Sequence, residues 1–279
     1  MSALRLGTRG SALALAQARW VAERLDDDVE IVEITTAGDI ARGVGDKSRW
    51  TGTLEQALLS GAIDLAVHSA KDVPGELAAG TAIAAVPPRE DPRDVLVGAP
   101  SLAALPAGAR VGTSALRRRA QVLAVRPDVE VVELRGNVDT RLRKLAAGEV
   151  DALVLAAAGL ARLGRTDVIG APLDGDVFVP APGQGSLLVQ AREGTVCPEA
   201  DDPATHAALA AERDVAARLG ASCHTAVGVL SAGPDMRAFV GLPDGSEWLV
   251  DEAGDPIELA GRLLAAGAAE LLARAAAAA

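Results

Sequence analysis

Arginine recurs in this chain where short apolar runs give way to polar residues. Arg9 lies in Leu4-Arg-Leu-Gly-Thr-Arg-Gly-Ser11, and Arg117, Arg118 and Arg119 follow Arg110-Val-Gly-Thr-Ser-Ala-Leu116. Arg135 closes Val131-Val-Glu-Leu-Arg-Gly-Asn137, and Lys71-Asp72 follow the apolar run Ile63–Val67. These positions read as the carboxyl ends of strands. In open α/β sheets, ligands bind in the crevice outside those ends. The chain carries 27 Lys+Arg against 38 Asp+Glu, a net charge of −11. Cations gathered at strand ends in an acidic protein point to a pocket for a small polyanion.

Each candidate has a plainer reading beside the chemical one. Thr113 or Ser114 is placed to cap a helix, and arginines in the next turn oppose the helix dipole. An anion between them relieves that repulsion, and the guanidinium fork suits carboxylates. The plain alternative is a solvated basic helix face. Arg135, Arg141 and Arg143 repeat the arrangement, with Asn137 as the cap, and Arg162 ends a third helical pattern. Asp72 is the strongest acid candidate. A carboxylate among cations stays ionised, can stabilise a developing positive charge and can pass a proton. Its alternative is a structural Lys–Asp turn. Asp64 and Asp151 read as structural. Cys223 sits in the small-residue loop Leu219-Gly-Ala-Ser-Cys-His-Thr-Ala226, where composition alone favours an inert thiol.

The elements that must position these groups follow a βαβ rhythm. Leu4–Gly7, Val29–Thr35 and Ile63–His68 read as strands; Ser11 caps a helix running to Leu25, and Leu54–Ser60 is a short helix. Arg5-Leu-Gly-Thr and Gly61-Ala-Ile-Asp are echoed by Arg110-Val-Gly-Thr and Gly148-Glu-Val-Asp, which suggests two similar α/β domains. From about Pro203 the pattern changes to a helix, three strands and a final helix. The expected domains are 1–87 with 181–200, 93–178, and an α+β domain at 203–279. The acidic balance argues against a nucleic-acid or anionic-membrane partner. Leu4-Arg-Leu-Gly reads as a strand and not as a signal peptide, and two cysteines fit a reduced cytoplasmic setting. Three scattered histidines give no metal spacing.

Several segments in order make the chain resemble the porphobilinogen deaminase (hydroxymethylbilane synthase) family. They are Leu6-Gly-Thr-Arg-Gly-Ser-Ala-Leu-Ala-Leu-Ala-Gln17, Val67-His-Ser-Ala-Lys-Asp-Val-Pro74, Arg89-Glu-Asp-Pro-Arg-Asp94, Val111-Gly-Thr-Ser-Ala-Leu-Arg-Arg118, Leu134-Arg-Gly-Asn-Val-Asp-Thr-Arg-Leu142, Ala158-Gly-Leu-Ala-Arg-Leu-Gly164 and Pro182-Gly-Gln-Gly185. The resemblance implies two periplasmic-binding-protein-like α/β domains with a central cleft, plus a small C-terminal α+β domain. It implies a cytoplasmic monomer that joins four porphobilinogens into hydroxymethylbilane with loss of ammonia, for tetrapyrrole biosynthesis. It implies a dipyrromethane cofactor in thioether linkage to Cys223, and Asp72 as the catalytic group that assists deamination and stabilises the azafulvenium cation. By the same resemblance Ser69, Lys71, Thr113, Ser114, Arg117, Arg118 and Asn137 serve the cofactor. Arg9, Ser11, Gln17, Lys47, Trp50, Arg135, Arg141, Arg162 and Gln184 serve the substrate and growing chain.

The chain departs from the family pattern in two loops. The family's Gly-Gly-Lys-Gly-Leu-Phe lid with its Lys-Glu-Leu-Glu sequel is here Gly45-Asp-Lys-Ser-Arg-Trp-Thr-Gly-Thr-Leu-Glu55, where Lys47 and Trp50 stand for the Lys and Phe. The Gly-Gly-Cys-x-x-Pro loop is here Ala221-Ser-Cys-His-Thr-Ala226, and Ala115 replaces a hydroxyl residue. These departures open a second reading, a tetrapyrrole-binding or regulatory relative without turnover.

Overall fold

A computed structural model describes residues 3–25, 28–36, 48–174, 177–222 and 225–277. The expectations at Lys47 and Cys223 lie outside the described residues. The chain forms two compact units, residues 1–90 with 185–210 and residues 91–184 with 211–279.

The first unit is built on a five-stranded sheet in the order Val29–Glu33, Leu4–Thr8, Leu65–Ser69, Leu187–Arg192, Thr81–Ala85. The first three strands are parallel, and Leu187–Arg192 runs antiparallel to both its neighbours. The second unit holds a sheet of the same design: Glu130–Glu133, Arg110–Thr113, Ala152–Ala156, Asp94–Val97, Ile169–Leu173. Again the first three are parallel and Asp94–Val97 is antiparallel to its neighbours. The chain is therefore α/β, with sheets more mixed than the βαβ rhythm implied. The antiparallel strand of the first sheet comes from residues more than a hundred positions downstream, which local periodicity does not reveal.

The repeated sequence segments do the same work in both sheets. Asp64 accepts from the Arg5 backbone N–H at 3.0 Å and its Nε at 3.0 Å. Asp151 accepts from the Arg110 backbone N–H at 2.7 Å, with Arg110 Nε 3.5 Å away. Both aspartates thus fasten the start of a central strand, as expected for structural groups. Gly7 and Gly112 also correspond. A Cβ on Gly7 would strike Ile63, and one on Gly112 would lie 2.9 Å from Leu153 Cδ2. Each sheet needs a bare backbone there so that neighbouring apolar side chains can close over it.

The second unit also carries an antiparallel three-stranded sheet, Ala226–Ala232, Asp235–Gly241 and Trp248–Ala253. Its core gathers Val229, Ala238 and Val240 against Leu259, Leu263 and Leu272. The expected single final helix is two, Pro256–Ala265 and Ala268–Ala277. Gly267, at φ +102, takes the left-handed conformation that ends a helix and that glycine adopts without strain.

Candidate active site

In the first unit the carboxyl ends of two parallel strands meet one cavity. Strand Leu4–Thr8 delivers Arg9, and Ser11 caps the helix Ala12–Ala22 by accepting from Ala14 N–H at 3.3 Å. Gln17, buried on that helix, donates through Nε2 to Ser69 Oγ at 2.9 Å. Ser69 ends strand Leu65–Ser69 and leads into a one-turn 3-10 helix, Ala70–Asp72. The turn is held from below. Ala70 N–H donates to Ser186 C=O at 3.0 Å, and Ala70 and Val73 sink into a cluster with Leu188 and Leu209. Apolar neighbours on either side of Lys71-Asp72 thus anchor the backbone and leave the Asp72 carboxylate exposed.

Arg9, Ser11, Gln17, Trp50, Ser69 and Asp72 all line the cavity, which holds about 450 Å³ including its open mouth. The helix Ser48–Leu59, longer at its start than the predicted Leu54–Ser60, brings Trp50. The Arg9 guanidinium lies 4.0 Å from the centroid of the Trp50 ring, a cation–π contact that fixes it at the cavity wall. Trp50 therefore supplies an aromatic face where the family pattern has Phe. Lys71 is half-buried beside Asp72 in the turn.

His68 also lines this cavity, and sequence reasoning gave it no role. Burial pushes its imidazole down to about 4, against the opposing pull of Glu55 and Asp72. An unfolded histidine near 6.5 takes up a proton that the native ring refuses. Stability therefore falls as pH drops from 6.5 to 4, by about 3 kcal/mol over the window. His68→Gln is expected to remove that slope, measured as urea midpoints across the window. An unchanged slope would contradict the neutral assignment.

In the second unit the arginines divide into a buried and an exposed group. Helix Leu116–Val125 starts at the cap residue Ala115, not at Thr113 or Ser114. Thr113 is still in its strand, with its Oγ1 accepting from Ala115 N–H at 3.3 Å. Arg117 and Arg118 are 5% and 6% exposed, so neither belongs to a solvated basic face. Both converge on Asp94, itself 2% exposed: Arg117 Nη1 at 2.6 Å from Oδ2 and Arg118 Nε at 2.9 Å from Oδ1. Gln184, fully buried, donates to Asp94 Oδ1 at 2.8 Å and to Pro92 C=O at 2.7 Å, and accepts from Arg118 Nη2 at 3.3 Å. Arg117 also donates to Val179 C=O at 2.8 Å. Burial opposes the charge on Asp94, but the two guanidiniums outweigh it and hold the carboxyl far below the usual carboxylate range.

The remaining arginines are exposed or half-buried. Arg135 is exposed, with Nε donating to Glu133 Oε1 at 2.7 Å. Asn137 caps the helix Val138–Ala146, as expected, through Oδ1 and Thr140 N–H at 2.9 Å. Arg141 Nη2 donates to Ser114 Oγ at 2.9 Å, joining two of the expected positions. Arg162 ends the short helix Ala157–Arg162 and is half-buried.

Asp94 is the central group that sequence reasoning did not single out. Its signal was a charged residue opening the buried run Asp94–Val97.

The fold and these groups define an α/β protein with guanidiniums near the strand ends of each unit and, in the first unit, a cavity lined by Arg9 and Asp72. Residues 4–197 match the family model "Porphobilinogen deaminase, dipyromethane cofactor binding domain". The porphobilinogen deaminase of Roseiflexus castenholzii is 45% identical, covering 98% of this chain and 99% of that protein. Those of Deinococcus deserti and Thermus thermophilus are each 43% identical, covering 98% of this chain and 98% and 99% of those proteins. Among solved structures, the aliphatic sulphonate binding protein SsuA of Escherichia coli is a weak match, with TM-score 0.39 and 18% identity over 78% of this chain and 70% of that one. The chain belongs to the porphobilinogen deaminase family.

Proposed function

We propose that this chain polymerises four porphobilinogen molecules head to tail into hydroxymethylbilane, releasing ammonia at each addition. The observation that carries the reading is the cavity in which Asp72 stands beside Arg9, Ser11 and the Gln17–Ser69 pair. Porphobilinogen brings both kinds of group this wall can serve: carboxylates for a guanidinium and a basic nitrogen for a carboxylate.

Asp72 is the catalytic residue in this reading. Its carboxylate faces the carbon that loses ammonia, stabilises the positive charge left there, and helps remove the proton that the attacking ring carbon gives up as the new carbon–carbon bond forms. Arg9, Ser11, Gln17, Lys47, Trp50, Arg135, Arg141, Arg162 and Gln184 serve the substrate and the growing chain. Arg135, exposed just past strand Glu130–Glu133, and Arg141, half-buried in the helix Val138–Ala146 that follows, are suited to this. Gln184 acts from within the Asp94 cluster.

The donor set also fits a carboxylate-rich dipyrromethane, because hydroxyls, amides and guanidiniums converge at the strand ends of each unit. Ser69, Lys71, Thr113, Ser114, Arg117, Arg118 and Asn137 would hold it, with Cys223 as its thioether anchor. When bound, it supplies the pyrrole carbon to which the first substrate is joined. The reading includes a division into domains at 1–87 with 181–200, 93–178 and 203–279, and a monomer working in the cytoplasm of cells that make tetrapyrroles. No described helix is long and apolar enough to cross a membrane.

The test is direct. Purified protein incubated with porphobilinogen is expected to release ammonia and to give uroporphyrin after acid and oxidation. Folded protein that binds porphobilinogen without releasing ammonia would instead support the tetrapyrrole-binding alternative, which no observation here favours.

A further inference from the structure

Two arginines of this chain stack on tryptophans, and the two pairs differ in kind. Arg24 lies 3.4 Å from the centroid of the Trp20 ring and donates to Trp20 C=O at 2.8 Å, a local pair at the end of the helix Ala12–Ala22. Arg9 and Trp50 come from distant parts of the chain and meet, at 4.0 Å, on the wall of the cavity that Asp72 also lines.

The face that Trp50 offers is fixed from behind. Its helix, Ser48–Leu59, turns Thr51, Leu54, Glu55 and Leu58 inward, each less than a tenth exposed, at the spacing of one helical face. Leu54 and Leu58 pack with Ile63 and Ala66 in one apolar cluster. Trp50 borders that face and is half-buried, so the core sets its backbone while its ring stands at the cavity. Arg9 is the opposite case. It follows the last residue of strand Leu4–Thr8, is half-buried, and carries a long side chain whose rotamer freedom is lost when it grips a ligand. Indole is the strongest aromatic face for a cation. Stacking engages the flat face of a guanidinium, whereas the N–H fork that suits a carboxylate lies in its plane. The stack therefore orders Arg9 through a surface that carboxylate binding does not use.

We propose that Trp50 is a positioning residue: it holds the Arg9 guanidinium at the cavity wall for a substrate carboxylate, and it acts through Arg9 without touching the substrate itself. This rests on the function proposed above. Because the guanidinium is ordered before the substrate arrives, the gain falls on binding and is the same in the bound substrate and in the transition state.

The experiment is a double-mutant cycle on the purified protein, with Trp50→Leu, Arg9→Met and the pair, and with Trp50→Phe as a milder change. In the otherwise unaltered protein, Trp50→Leu is expected to raise KM for porphobilinogen about fivefold at nearly constant kcat, the scale of a cation–π contact near the surface. Trp50→Phe, which keeps a weaker aromatic face, is expected to raise it less. With Arg9→Met already present, Trp50→Leu is expected to change KM no further. An equal loss from Trp50→Leu in both backgrounds would overturn the proposal, because the ring would then act on the substrate directly. So would an unchanged KM, or a fall in kcat alone. Trp50→Phe with and without Arg9→Met gives the same comparison if the leucine variants fail to fold. Unaltered protein that releases no ammonia would remove the underlying function instead; the cycle is then read as dissociation constants for porphobilinogen, with the same expected and contrary results.

Discussion

Asp72→Asn is expected to lower turnover of porphobilinogen by about 10²- to 10⁴-fold, the range for a positioned proton-transfer group. The melting temperature is expected to stay within a degree or two of the parent. The second half follows from geometry. Ala70 and Val73 anchor the turn, while the Asp72 side chain is exposed and packs in no core. Asparagine keeps the shape and loses the charge and the basicity. A rate near the parent's, measured by ammonia release, would remove Asp72 from the chemistry.

The opposite profile is expected of Asp94→Ala. Asp94 touches no cavity described here; it neutralises two guanidiniums buried to 5% and 6% exposure. Removing one partner of a buried ion cluster leaves uncompensated charge and costs about 3–5 kcal/mol. For a unit of this size that is a fall in melting temperature of order 10 °C. Activity is expected to fall as well, because Arg117, Arg118 and Gln184 lose the group that aligns them. The acid limb has a definite sign. The folded-state pKa of Asp94 is depressed, so its contribution is complete above the unfolded value near 3.9 and disappears only as pH falls through the lower native value. A melting temperature unchanged in Asp94→Ala would mean that the cluster is not holding its arginines as described.

Arg117 and Arg118 show why part of the site was legible in the sequence and part was not. Their position after a strand and at a helix start was readable from Val111-Gly-Thr-Ser-Ala-Leu-Arg-Arg118. Their burial was not, because it depends on Asp94, Val154, Val179 and Gln184, which lie 23 to 66 residues away in the chain. The same division holds elsewhere. The paired Arg5–Asp64 and Arg110–Asp151 segments announced a repeated α/β sheet because each repeat recurs as a short local motif. Strand Leu187–Arg192, inserted antiparallel between strands Leu65–Ser69 and Thr81–Ala85, left no local mark of its partners. Ser11 and Asn137 were recognisable as caps, since a cap acts on the next three residues. Ser114 was misread because a tertiary partner took its hydroxyl, which accepts from Arg141, 27 residues on, and Thr113 because it stays in its strand, where its hydroxyl accepts from Ala115 N–H. His68 was overlooked because an apolar strand hides it.

The central proposal is a dipyrromethane on Cys223, which two porphobilinogens can supply, and elongation of the chain from it. The most direct test is the intact mass of purified protein after incubation with porphobilinogen, followed by peptide mapping. The account predicts an added mass equal to two condensed porphobilinogens, located on the peptide that contains Cys223. The unmodified mass, persisting in folded protein after incubation, would contradict it.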